Sequence, residues 1–134
     1  MGDSDNRTVK FTLGGMNFEY DEEKNRKNIE KHGISFKSAA RIFFDYDRIE
    51  FFDEENSEFE DRFDTIGDLS AGMFNLSKNM DTMIGSINEN DVLFVVYTEK
   101  IRRNENGVDI DVTRLISARF ATNFERGLYY GKLE

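Results

Sequence analysis

Apolar residues fall on two periods along this chain. Phe36, Ala39, Ala40 and Phe43 recur at i, i+3, i+4 and i+7, which predicts a core-facing helix capped by Ser35. A more polar helix is predicted before it, over 22–32: Asp21 is its N-cap, Glu22 and Glu23 suit its positive end, Lys31 and His32 its negative end, and Gly33 closes it. Its only sizeable apolar residue is Ile29, so it is expected to pack shallowly, with Lys24, Asn25, Asn28 and Lys31 on a polar face. Strand-like runs follow. "RIEFF" and "EFEDRFDTIG" flank the turn-like "DEENS" as a hairpin, and "DVLFVVYT" is a buried strand by composition and length. "KIRRNENGVDIDVTRLISA" predicts a second hairpin, with Asn106-Gly107 supplying the positive φ of a two-residue loop. Thr122 and Glu125 then form a T-x-x-E capping box, and Phe124 and Leu128 an apolar i, i+4 pair, predicting a short C-terminal helix.

Two stretches resist this reading. Residues 1–15 lack helical periodicity and end in a Gly pair, so they are taken as an N-terminal extension or added strand, "TVKFTL" being their one strand-like piece. Residues 68–91 hold three of the five Met among scattered Gly, Ser and Asn, and are expected to be a mobile, sticky loop, either a partner-binding lip or plain disorder. Residues 16–134 are expected to form a single domain carrying 68–91 as an unusual insertion; at 134 residues, 38% hydrophobic and 13% aromatic, the chain has material for one core.

Composition narrows the chemistry. With no Cys and one His, disulfides and the familiar Cys or His-cluster metal sites are excluded, and neither a metal nor a cofactor is expected. The longest apolar run, "VLFVVY", is too short to span a bilayer and no secretory leader is evident, so a soluble cytoplasmic protein without membrane contact is expected. The net charge of -9 argues against a generic nucleic-acid binder. It is concentrated in residues 45–64, where ten acids face two arginines, and Arg114, Arg119 and Arg126 cluster near the C-terminus, so a local cationic site is compatible with the total.

The pieces "FEYDEEKNRKNIEKHGISF" (18–36), "RFDTIG" (62–67), "VVYTE" (95–99) and "RLISARFATNFERGLYY" (114–130) resemble, in sequence and order, the BrnT-type toxins, ribonuclease members of bacterial toxin–antitoxin pairs related in fold to RelE. The resemblance implies an α+β fold: a RelE-like antiparallel β-sheet with two N-terminal helices and a short C-terminal one. It implies RNA as substrate, cleavage without metal that inhibits translation, an antitoxin protein as partner, and binding of operator DNA only through the antitoxin complex. A homodimer is compatible with it. This chain departs from the family pattern in the insertion at 68–91, in Tyr20 where Trp is usual, and in its acidic hairpin.

Metal-free cleavage uses the ribose 2′-hydroxyl as nucleophile and needs a base, an acid and cations to offset phosphate charge. Arg suits the last role because its planar fork stays charged and bonds two oxygens at once. Arg62, Arg114 and Arg119 are the candidates. Five positions separate Arg114 from Arg119, so a regular strand would point them to opposite faces, and one site needs a strand end or bulge near Ala118. For proton transfer the candidates are His32, whose imidazole titrates near about 6.5 yet also suits a helix end, and Glu125, whose place in the capping box already accounts for it. Lys24, Lys31 and Tyr129 are candidate RNA contacts, against the plainer readings of surface lysines and a half-buried core tyrosine. A second class of function stands beside the nuclease: a toxin-fold module without catalysis that holds a basic partner through the acidic hairpin.

Overall fold

A computed structural model of the protein describes residues 7–77 and 91–131. Thr8–Leu13 (β1) and Met16–Asp21 (β2) form an antiparallel hairpin. The helix Glu22–His32 (α1) follows, then a single turn Phe36–Ala39 (α2) that tightens into a 3₁₀ turn over Ala40–Phe44. Ile49–Phe52 (β3) and Phe63–Asp68 (β4) pair antiparallel, and Leu69–Ser77 is a third helix (α3). Val92–Arg103 (β5) and Asp109–Phe120 (β6) make the long central hairpin, and Asn123–Gly131 (α4) ends the described chain. The six strands form one sheet in the order β1-β2-β6-β5-β4-β3.

The fold is α+β as expected, but the sheet is mixed: β2 runs parallel to β6, pairing Phe18 with Thr113 and Glu19 with Arg114. "TVKFTL" is the edge strand β1. Residues 69–77, unreadable in the sequence, are helical; residues 78–90 of the same segment lie outside the described residues. Gly72 lets α3 press against the 3₁₀ turn, since a Cβ there would lie 2.0 Å from the carbonyl oxygen of Arg41. The expected two-residue loop at Asn106-Gly107 is a longer one, in which only Gly107 has positive φ and the Asn104 side chain accepts from the Asn106 and Val108 amides.

The two faces of the sheet differ. One is covered by α1, α2 and the 3₁₀ turn, with Phe18, Tyr20, Phe36, Phe43, Leu93, Val95, Tyr97 and Leu115 in one core. On the other, Ile66, Val92 and Tyr129 form a smaller core beneath α4. Asp45 ties that corner together: its buried carboxylate accepts from the Tyr129 hydroxyl at 2.5 Å and the Asp68 amide at 2.7 Å. No helix among the described residues is long and apolar enough to cross a membrane.

The caps of α1 are as the sequence predicts: Asp21 accepts from the Lys24 amide at 3.0 Å, and Gly33 at φ 74° closes the helix. Its packing is not. Ile29 is 43% exposed while Asn28 is buried. The reason is the sheet: β2 pairs with β6 only at Phe18 and Glu19, leaving the C-terminal half of β6 without a strand on that side. Asn28 fills the gap, its amide nitrogen donating to the Ala118 carbonyl at 2.8 Å and to that of Ile34 at 2.9 Å, its oxygen accepting from the Ala118 amide at 3.2 Å. A side-chain amide thus imitates a neighbouring strand.

Asn28→Ala is expected to lower unfolding stability by about 3 kcal/mol, because it strands buried backbone groups. Ile29→Ala should cost less than about 1 kcal/mol. Denaturant titration of both variants tests this order, and the reverse order would show that the apolar contact holds α1.

Candidate active site

Residues opposite one another in neighbouring strands share a face. Arg119 pairs with Phe94 and Arg114 with Thr98, four positions apart on β5, so both arginines lie on one face. A β-bulge makes this possible: Val96 opposes Ser117 and Tyr97 opposes Leu115, leaving Ile116 as the extra residue. The face is the one away from α1 and α2. Lys10, opposite Glu19, also lies on it, as do Lys100 and Arg102 of β5. Arg62 joins them from the loop just before β4, rather than from mid-strand as the sequence suggests, its guanidinium 3.4 Å from Glu60. α4 covers part of this face, and the loop before β4 covers another part, with Asp61 accepting from Thr98 and Glu60 from Lys100. At the β1–β2 end it holds an open cavity of about 500 Å³ whose lining includes Lys10, Thr12, Asn17, Glu19, Arg102 and Arg103.

Acids stand among these bases, each bound to some of them. Glu19 is 1% exposed and receives Arg102 at 3.2 and 2.6 Å and Arg114 at 2.6 Å. Burial works to raise its pKa, but the two guanidiniums outweigh it and hold the carboxyl below its ordinary value. Glu60 accepts from Lys100 at 2.7 Å. Glu125 takes Arg119 in a two-point clasp at 2.8 and 2.9 Å, and that guanidinium lies 4.2 Å from the Phe94 ring centre. Arg62, Arg114 and Arg119 therefore share a face, but each is paired with its own carboxylate. Arg114 and Arg119 are separated by four residues of β5 register, roughly 13 Å along the strand.

The proton-transfer candidates divide. Glu125 forms the predicted capping box, accepting from the Thr122 amide at 2.9 Å while Thr122 accepts from the Glu125 amide at 3.2 Å. With Arg119 bonded as well, its pKa is held below the ordinary value, which disfavours it as a base. His32 is half-buried at the end of α1, and burial, Lys31 and Arg119 lower its pKa, so it is neutral at pH 7. Lys24 and Lys31 are exposed on α1. Tyr129, a candidate RNA contact, is instead a core residue: it is buried, its hydroxyl donates to Asp45, and its pKa is raised chiefly by burial.

One residue escaped the sequence reading. Asp64 of β4 is 6% exposed, and Oδ1 has no hydrogen-bond partner. Burial first, then a hydrogen bond and charge from Asp53, push its pKa up to about 7; Glu125 adds to this and Arg119 opposes it. The signal was present in "RFDTIG": Asp64 alternates in phase with buried Ile66, so it faces inward despite its acidic surroundings. Among the described residues no group of three or more His, Asp or Glu side chains is placed to hold a metal ion.

A helix-backed, six-stranded α+β sheet of this order is consistent with the RelE-like toxin fold. Residues 20–77 match the family model described as "Ribonuclease toxin, BrnT, of type II toxin-antitoxin system", so the resemblance to BrnT-type toxins is shown over that stretch. His32, Arg62 and Asp64 fall within it; Arg114, Arg119 and Glu125 lie beyond it. No curated protein matches the chain.

Asp64 ionises at its ordinary 3.8 when unfolded but only near about 7 when folded. The folded state therefore keeps a proton that the unfolded state releases, and stability falls as pH rises across that window, by at most roughly 4 kcal/mol. Asp64→Asn, which cannot ionise, is expected to melt above wild type at pH 8, with the gap closing near pH 4. A gap independent of pH, read by thermal denaturation, would refute a buried proton on Asp64.

Proposed function

We propose that the protein is an endoribonuclease toxin of a type II pair that cleaves RNA without a metal and inhibits translation until an antitoxin binds it. The observation that carries this is the basic sheet face: Lys10, Arg62, Lys100, Arg102, Arg114 and Arg119 on a surface largely clear of helices, in a chain whose net charge is -9. The match of residues 20–77 to a ribonuclease toxin family supports it. An RNA strand laid across the sheet would run from Arg119 and Arg62 toward the cavity at Lys10 and Arg102.

Phosphate would take over the guanidinium of Arg119 from Glu125, exchanging one two-point clasp for another of the same geometry. Arg62 and Arg114 flank the same path. Neutral His32, close enough to feel the Arg119 charge, takes the 2′-hydroxyl proton. In this reading Glu125 is the group that holds Arg119 in place until RNA arrives. The site acts in the cytoplasm and touches DNA only through the antitoxin complex.

A second reading has its own observation. The 45–64 segment turns Asp47, Glu54, Glu55, Glu58 and Asp61 outward, with Phe59 93% exposed among them. This surface suits a basic protein segment: the antitoxin's in the first reading, or the sole business of a non-catalytic module in the second.

RNA incubated with the protein in EDTA separates the two. Wild type is expected to cleave, Arg119→Ala to lose about a hundredfold or more, and Glu125→Gln to bind RNA more tightly at low salt by releasing Arg119. RNA left intact by folded wild-type protein would establish the binding module instead.

A further inference from the structure

The basic face can be read as rows across the strands. Arg62 precedes Phe63, which opposes Tyr97, so it stands beside Thr98, where Arg114 stands on the other side. The Thr98 hydroxyl donates to the Asp61 carbonyl at 2.7 Å, fixing that end of the loop. Arg119 belongs to the row of Phe94 and Ile66. Between the two rows lies the row of Val96, with Asp64 on one side and Ser117 on the other. The three arginines therefore surround Asp64 and Ser117.

Buried polar groups normally find partners. Among the described residues, the two buried side-chain atoms that find none are Asp64 Oδ1 and Arg62 Nε, an acceptor and a donor two residues apart on this same face. Glu60 bonds a different nitrogen of Arg62, and the Asp64 carboxyl shares a hydrogen bond with Asp53, so the proton of Asp64 lies between two carboxyl groups. A carboxyl and a guanidinium left incomplete at the centre of a cationic face fit a ligand that supplies both a hydrogen-bond acceptor and a site for a proton, as a phosphodiester does.

We propose that Asp64, in its protonated form, is the acid that delivers a proton to the departing 5′-oxygen of the RNA, with Arg62 Nε bonding the same phosphate. This deepens the ribonuclease reading and rests on it. In the step, the 2′-oxygen bonds to phosphorus as His32 takes its proton. The bond from phosphorus to the 5′-oxygen breaks, and that oxygen takes the proton of Asp64. The products are a 2′,3′-cyclic phosphate and a free 5′-hydroxyl; His32 then loses a proton to water and Asp64 regains one. Transfer of Arg119 from Glu125 to the phosphate is the movement that brings the RNA against Asp64. Two groups whose surroundings push their proton affinities in opposite directions then hold the states each role requires near neutrality. The charged groups around Asp64 are Asp53 and Arg62 in the preceding loop, Arg119 of β6 and Glu125 of α4.

The test uses two short RNAs of one sequence, one natural and one with sulfur in place of the 5′-bridging oxygen at the cleaved position. A thiolate leaves without protonation, so the second RNA does not need the acid. Wild type, Asp64→Asn and Arg119→Ala are assayed in EDTA between pH 5.5 and 8.5, with circular dichroism confirming that each is folded. The proposal expects the wild-type rate on natural RNA to fall as pH rises through about 7. It expects Asp64→Asn to be slower by about a hundredfold or more with that limb removed, and to match wild type on the sulfur RNA. Asp64→Asn equally slow on both RNAs would overturn the acid role, and an unchanged rate and profile on natural RNA would overturn any role in transfer, each leaving the ribonuclease reading intact. Folded wild type that cleaves neither RNA would sink both.

Discussion

The arrangement of this protein depends on a mismatch in strand length. β2 accompanies β6 for two residue pairs and then turns into α1, so the C-terminal half of β6 has backbone donors and acceptors with no strand beside them. Water could satisfy them at an open edge, but here the edge lies under a helix, and the Asn28 side chain supplies the partners at Ala118. Because Asn28 fixes the rotation and height of α1, its last turn sits beside the end of β6. That is how His32 comes within reach of the Arg119 charge.

A second irregularity sets the electrostatics. The bulge at Ile116 reverses the alternation of β6 midway, so residues five apart share a face. Without it Arg114 or Arg119 would point into the helix-covered core, where an unpaired guanidinium is strongly disfavoured. The bases gathered on the open face repel one another, and Glu19, Glu60 and Glu125 offset that repulsion at fixed points. Glu19 is almost wholly buried and binds two arginines, so it belongs to the framework, whereas the Arg119–Glu125 clasp is partly exposed. A chain of strongly negative total charge thus gathers bases on one face while most of its surplus acids lie in the 45–64 hairpin, of which Glu60 and Asp64 reach that face.

What was legible in the sequence was what neighbouring residues decide. The caps of α1, Ser35, the Thr122–Glu125 box and the strand character of "DVLFVVYT" depend on local hydrogen bonds and alternation, and all are present. The parallel pairing of β2 with β6 and the burial of Asn28 are set by partners some ninety residues away, and the bulge at Ile116 by its register against β5, so no local pattern encodes them. α3 was hidden because its Gly and Ser argue against a helix; Gly72 is there for the close approach to Arg41, a tertiary reason that overrides propensity. Of the site, the bases were readable as residue types, but which acid each would hold was not. Asp64 was lost among ten acids, although its phase with Ile66 marked it as inward-facing.

The position of β6 has a consequence for how the molecule comes into being. Among the described residues it is the last strand, yet it lies inside the sheet, between β2 and β5, and its pairing with β2 joins residues some ninety positions apart. Contacts of such separation form slowly, after long loops have closed. During synthesis β1 to β4 emerge first and must wait for residues 109–120 before the sheet is joined. Arg114 and Arg119 arrive on that same strand, so the nascent chain acquires its cationic face only after residues 109–120 have emerged.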